Sequence, residues 1–175
     1  MIDSIHSKSR LIFGCGNPLF GDDGFGPAVI EHLEANHRIP DYAACIDAGT
    51  AVRDMLFNIL LAEKKPDQII IVDASPQNGK APGDISEIDI DAIDPRKTSD
   101  FSLHQFPTTN MLKELKTHTD VDVRVLVVQP GHIPEEINPG LSTAVTRAIH
   151  DMCVYIMDIV KSDVPSRKDH AKEMI

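Results

Sequence analysis

Between Arg10 and Leu33 the chain reads R-L-I-F-G-C-G-N-P-L-F-G-D-D-G-F-G-P-A-V-I-E-H-L. Leu11, Ile12 and Phe13 form an unbroken apolar run, the pattern of a strand covered on both faces. Gly14, Gly16, Gly21, Gly24 and Gly26 follow, with Asn17-Pro18 as a turn-forming pair, so the main chain bends sharply and leaves room for close approach. From Phe25 the apolar residues Phe25, Val29, Ile30 and Leu33 recur at helical spacing, which puts Asp22 and Asp23 just before or within the first turn of a helix. Such acids stabilise a helix N-terminus by capping and through the dipole. A dinucleotide fingerprint fits poorly, because Leu19 stands where the third glycine belongs and two acids would face the pyrophosphate.

Length, charge and cysteine usage narrow the field. A chain of 175 residues with a formal charge of -10 reads as one domain, and its acidity argues against a nucleic-acid surface. Residues 1–161 are assigned to that domain and 162–175 to a charged tail. Cys15, Cys45 and Cys153 are widely spaced and form no C-x-x-C pair, which fits a reducing cytoplasm and indicates neither a disulfide framework nor a thiolate zinc site. Cys15 reads as a small core residue, since nothing in the sequence supplies it with a base. No apolar run is long enough for a membrane span or signal peptide.

The elements then alternate. Ala43 to Ile46 reads as a second strand ending at D-A-G-T (Asp47–Thr50), residues 51–63 as a helix, and Gln68 to Val72 as a buried strand closing on Asp73. Strand, helix, strand, helix, strand is the order of an α/β sheet with parallel strands. Asn78-Gly79 and Pro82-Gly83 leave no room for a crossover helix before the alternating Ile85, Ile88 and Ile90, so the fourth strand is expected to be antiparallel. A loop-like stretch to Phe106 carries Ser102-Leu103-His104-Gln105, and Thr108 or Thr109 can cap the helix after it. Val121 to Val128 is a fifth strand, and Ser142 can cap a last helix.

Ligands of open α/β sheets collect at the carboxyl ends of the strands. Asp23, Asp47 and Asp73 fall there, and His104 sits on a loop able to reach the same edge. Two carboxylates and an imidazole suit a borderline divalent metal. Local turns compete for the same acids: Asp47 can bond to Gly49 or Thr50, and Asp73 toward Ser75. His132 reads as a loop residue, and His6, His37, His118, His150 and His170 sit in no motif.

The run G-C-G-N-P-L-F-G-D-D-G-F-G, the D-A-G-T, the I-I-I-V-D-A ending at Ala74, the H-Q at His104-Gln105, and the later Q-P with P-G-L-S stand in one order from about Leu11 to Val160. Together they resemble the hydrogenase maturation proteases, with the first motif closest in flavour to the enzymes serving coenzyme F420-reducing hydrogenases. The resemblance implies a three-layer α/β/α sandwich around a mixed, mostly parallel five-stranded sheet whose fourth strand is antiparallel. It implies an endopeptidase that trims the C-terminal extension of a nickel-iron hydrogenase large-subunit precursor, with nickel in the precursor as the recognition signal. Asp23, Asp73 and His104 match the family's metal-contacting positions, although many members carry Glu at the first. Asp47 is the candidate auxiliary acid, and Gly16, Asn17, Gly49 and Thr50 are candidate contacts to the bound tail. No organic cofactor is expected, and the free enzyme is expected to be a cytoplasmic monomer. A non-catalytic nickel-binding chaperone or metal sensor could use the same three side chains.

Overall fold

A computed structural model describes residues 7–92 and 106–162. Strand β1 (Arg10–Cys15) is buried from Leu11 onward, and β3 (Gln68–Ala74) is buried at every position. Only the middle of a sheet with helices on both sides produces that pattern. The order is β2 (Ala43–Gly49), β1, β3, β5 (Asp122–Val128), β4 (Ile85–Ile88), in which β4 alone is antiparallel, opposite β5. Phe13 lies beside Ile46 on one side and Ile71 on the other.

Alternation along the strands sorts the apolar side chains into two cores. On one face, α1 (Phe25–Asn36) and α4 (Thr143–Lys161) bury Phe25, Val29, Leu33, Met152 and Ile156 against Ile12, Ile70 and Val72. On the other, α2 (Val52–Leu61) and α3 (Phe106–His118) pack Leu56, Leu112 and Leu115 on Phe13, Ile71 and Val125. Each fully buried side chain of this size contributes ~1.5–3 kcal/mol. The three layers and the antiparallel fourth strand are those expected.

The boundaries differ in detail. β2 runs on through Asp47 to Gly49, because these residues remain paired to the end of β1. β4 stops at Ile88, and Ile90 enters the core from a short 3-10 turn. α3 already begins at Phe106, so Thr108 and Thr109 lie inside its first turn. Of the expected tail, everything beyond Ser162 lies outside the described residues.

Two polar devices hold the frame in register. Arg124 on β5 donates from Nε to Glu87 of β4 at 2.7 Å and from a second nitrogen to the other carboxylate oxygen, which also accepts the Tyr155 hydroxyl at 2.9 Å. The second device is Asp22, which has no solvent exposure. Its Oδ2 accepts the Gly131 and His132 N–H groups at 2.8 and 2.9 Å and the Ser142 hydroxyl at 2.9 Å, while Oδ1 accepts the Ser142 N–H at 2.6 Å. Burial pushes the Asp22 pKa up, but these donors together outweigh it and hold the carboxyl below its ordinary value. Ser142 does occupy the N-cap position of α4, yet its hydroxyl serves Asp22 and makes no cap bond to the helix.

Asp22→Asn replaces one acceptor oxygen by a donor facing N–H groups and removes the charge they stabilise. We expect a loss of about 2–3 kcal/mol, read from the urea midpoint. Glu87→Gln tests the edge of the sheet. The Arg124 hydrogen bond, outweighing partial burial, holds the Glu87 carboxyl below its ordinary value. A depressed folded pKa gives stability that is present above the unfolded value and lost as pH falls through the folded one. The variant should therefore be less stable at pH 7 by under about 1 kcal/mol, the range of a solvated ion pair, and unfolding curves taken at successively lower pH should converge with those of the wild type.

Candidate active site

After β1 the chain passes to β2 on one side, and after β3 it passes toward β5 and β4 on the other. The carboxyl ends of β1 and β3 therefore flank a topological switch point, where an open α/β sheet forms a crevice. Asp73 is the next-to-last residue of β3, and Asp23 lies in the 3-10 turn Gly21–Gly24 that leads into α1. Both are nearly buried, at 5% and 7% exposure.

Their surroundings differ from that of Asp22. Among the described residues Asp23 accepts one N–H, from Asn17 at 2.8 Å, and Asp73 accepts one, from Ala74 at 2.8 Å. Burial pushes the Asp73 pKa up to about 7; the Ala74 N–H works against that rise, and the neighbouring charge of Asp23 adds to it. The turn bond toward Ser75 does not form, because the Ser75 N–H donates to Val128 in the sheet. Asp73 is thus a carboxyl removed from water, beside a second carboxyl, with one N–H among the described residues to stabilise its charge.

The glycine bend presses onto this pair. Gly16 has φ of 118°, and a Cβ there would stand 1.9 Å from the Asp23 carbonyl oxygen, so no other residue fits. Among the expected tail contacts, the N–H groups of Gly16, Asn17 and Gly49 are already committed, to Gly49 O, Asp23 Oδ2 and Asp47 Oδ1. Thr50 is exposed at the start of the turn into α2, and its N–H has no partner among the described residues.

Asp47 has a different place. Its partner in the sheet is Gly14, two residues beyond the Ile12–Cys45 pair, so it belongs to the α1 side, whereas Asp73 follows Ile71 and Ile69 on the α2 side. It makes the local bond to Gly49 at 3.1 Å and lines a cavity of about 740 Å³ along α1 with Pro18, Pro27, Glu31, Glu34 and Leu141. Neither Asp23 nor Asp73 lines that cavity. Cys15 is buried, and burial, then the charges of Asp73, Asp47 and Asp23, push its thiol well up, so it remains protonated core. His104 lies outside the described residues.

Asp23 and Asp73 can together hold a cation through oxygen, and Asp73 can hold or release a proton near neutral pH. The residue that reading the sequence undervalued is Asp22. Its partners are 109, 110 and 120 positions away, a separation that no local pattern reports.

The profile of the hydrogenase maturation protease family matches residues 27–159. A Methanocaldococcus jannaschii protein with a provisional hydrogenase maturation protease name is 36% identical, over 88% of this chain and 97% of its own. Coenzyme F420 hydrogenase subunit delta of Methanothermobacter thermautotrophicus is also 36% identical, over 85% of this chain and 92% of its own. Among solved structures, the hydrogenase maturating endopeptidase HybD of E. coli superposes with a TM-score of 0.70 at 26% identity, covering 91% of this chain and 98% of that one. The sheet order and these likenesses agree: the chain belongs to the hydrogenase maturation proteases and is a peptide hydrolase.

Proposed function

We propose that this protease removes the C-terminal extension of a nickel-iron hydrogenase large-subunit precursor after nickel has been inserted, and that Asp23, Asp73 and His104 read that nickel. The observation that carries the reading is the Asp23–Asp73 pair, two poorly solvated carboxyls side by side at the carboxyl edge of the sheet. Like charges in such a place repel, and only a cation relieves them. With a pKa of about 7, Asp73 is roughly half protonated near neutral pH, and a cation arriving beside Asp23 favours loss of that proton. A precursor without nickel offers nothing to drive that exchange, so selectivity needs no large docking surface.

The nickel, as part of the substrate, would polarise the scissile carbonyl or lower the pKa of a water. Asp73 and Asp23 then orient that centre and accept the proton of the attacking water. Asp47 is given no part in the cut, because it faces the α1 side. The likeness to a protein named for the F420 hydrogenase supports a precursor of the coenzyme F420-reducing type. No helix among the described residues is long and apolar enough to cross a membrane.

Incubation with nickel-loaded precursor should shorten it by the mass of its extension, and nickel-free precursor should stay intact. Equal cleavage of both forms defeats the recognition mechanism, and an unchanged mass of the nickel-loaded form points to a chaperone. Asp73→Asn keeps the shape and the Ala74 bond while removing a buried charge. At pH 8 without metal this variant should unfold no more easily than the wild type and gain up to ~1 kcal/mol, because a raised folded pKa means that ionisation above about 7 costs stability. Cleavage should nevertheless be lost. A destabilised Asp73→Asn that still cuts would make Asp73 architectural.

A further inference from the structure

Along the C-terminal half of α1, where His32 stands about 10 Å of helix beyond Phe25, a second group of metal-ligating side chains comes together. His32 lies on α1, His37 follows its last residue in extended backbone, and His150 and Cys153 lie one turn apart on α4. The ligating atoms of His32, His37 and Cys153 are all within 4.8 Å of one another. The His32 ring meets that of His150 edge-on, with centroids 6.4 Å apart. Cys153 is wholly buried, its thiol directed at the Val29 carbonyl at 3.8 Å, and the two histidines flanking it are half-buried. No side-chain hydrogen bond or ion pair engages these three imidazoles among the described residues.

We propose that His32, His37 and Cys153 form a zinc site that ties α1 to α4, with His150 within reach as the fourth ligand. Imidazole and thiolate are the donors zinc prefers, and its bond lengths set ligand-to-ligand separations of about 3.4–3.7 Å in a tetrahedron. The side chains must therefore close by roughly 1 Å. His37 can supply that movement, since it stands past the helix in the connection to β2, and the ring of His32 is partly open to solvent. Cys153 is the fixed corner. Burial alone holds its thiol up at about 11, and a dication supplies the opposite influence, forming the thiolate as its proton leaves to solvent. The site is separate from Asp23 and Asp73, so its role is to fasten two helices of one layer.

Cobalt substitution reads the site directly. Full-length protein carrying no histidine tag should bind one equivalent of Co²⁺ with the near-ultraviolet thiolate charge-transfer band and the visible bands of a tetrahedral centre, and zinc should displace it. The band should persist in Cys45→Ser and Asp73→Asn and vanish in Cys153→Ser. The His32→Ala/His37→Ala variant, which leaves the buried thiol in place, should bind zinc roughly a hundredfold or more weakly and lose any zinc-dependent rise in melting temperature. Should Cys153→Ser fail to fold, the double histidine variant decides alone. Cobalt bound without a thiolate band, or zinc affinity unchanged in the double variant, overturns the proposal.

Discussion

The structure depends on a backbone contact between Gly14 at the end of β1 and Gly26 at the start of α1. A Cβ on Gly26 would lie 2.2 Å from the Cys15 oxygen and 2.6 Å from the Val72 oxygen, and one on Gly14 would lie 2.4 Å from the Gly26 oxygen. Helix and sheet therefore touch main chain to main chain across both β1 and β3. Any side chain would lift the helix by more than the interior can absorb without opening a void. Because α1 begins so close to the strand ends, the turn before it has nowhere to sit except on the carboxyl edge. The site inherits its position from this contact, and the acids themselves do little to create it.

That turn sends two adjacent aspartates to opposite fates. Asp22 is aimed at the loop 131–142 and meets four donors, which outweigh its burial and hold it as an anion. Asp23 is aimed at the glycine bend and at Asp73, where each carboxyl has one N–H to itself among the described residues. The number of donors separates architecture from chemistry here: a fully bonded carboxylate is stable and inert, whereas a sparsely bonded pair is a standing electrostatic cost that a ligand can relieve. The Asp22 tie also fixes the loop whose backbone pairs with Phe20 across Asn138, so the anchored acid holds the surroundings of the chemical one.

Much of this was legible in the sequence because it is local. Apolar runs of three and four residues mark β1 and β3, and the want of a crossover helix after Ala74 marks β4 as antiparallel. Asp73 could be put at the end of a buried strand, and Asp23 beside the bend, from order alone. What could not be read depends on register or on packing between distant elements. The side of the sheet that Asp47 occupies follows from its pairing with Gly14, and a one-residue shift would have reversed it. Asp22 and Ser142 looked like two separate helix caps; they are one tie closed over 120 positions. His32, His37, His150 and Cys153 share no motif because two come from the last part of α1 and the residue after it and two from the middle of α4, and only the α1–α4 packing brings them together.

The same packing explains why α4 can serve several sites without belonging to any. Its N-terminus is tied to Asp22 through Ser142, and Cys153 sits in its middle. At its C-terminus, the Arg10 guanidinium donates to the carbonyls of Ile159, at 3.2 Å, and Val160, and Tyr42 adds a hydroxyl to Val160 at 3.2 Å. Arg10 also lies 5.3 Å above the Tyr42 ring, which keeps the cation over carbonyls that a helix end leaves unpaired. A helix held at both ends and packed along its length by Val145, Met152, Ile156 and Val160 cannot slide to accommodate a ligand. Movement on binding is then left to the parts not so held: the extended residues after α1, the turn at Thr50, and the Asp73 carboxyl, whose response to a cation is a change of charge with almost no change of shape.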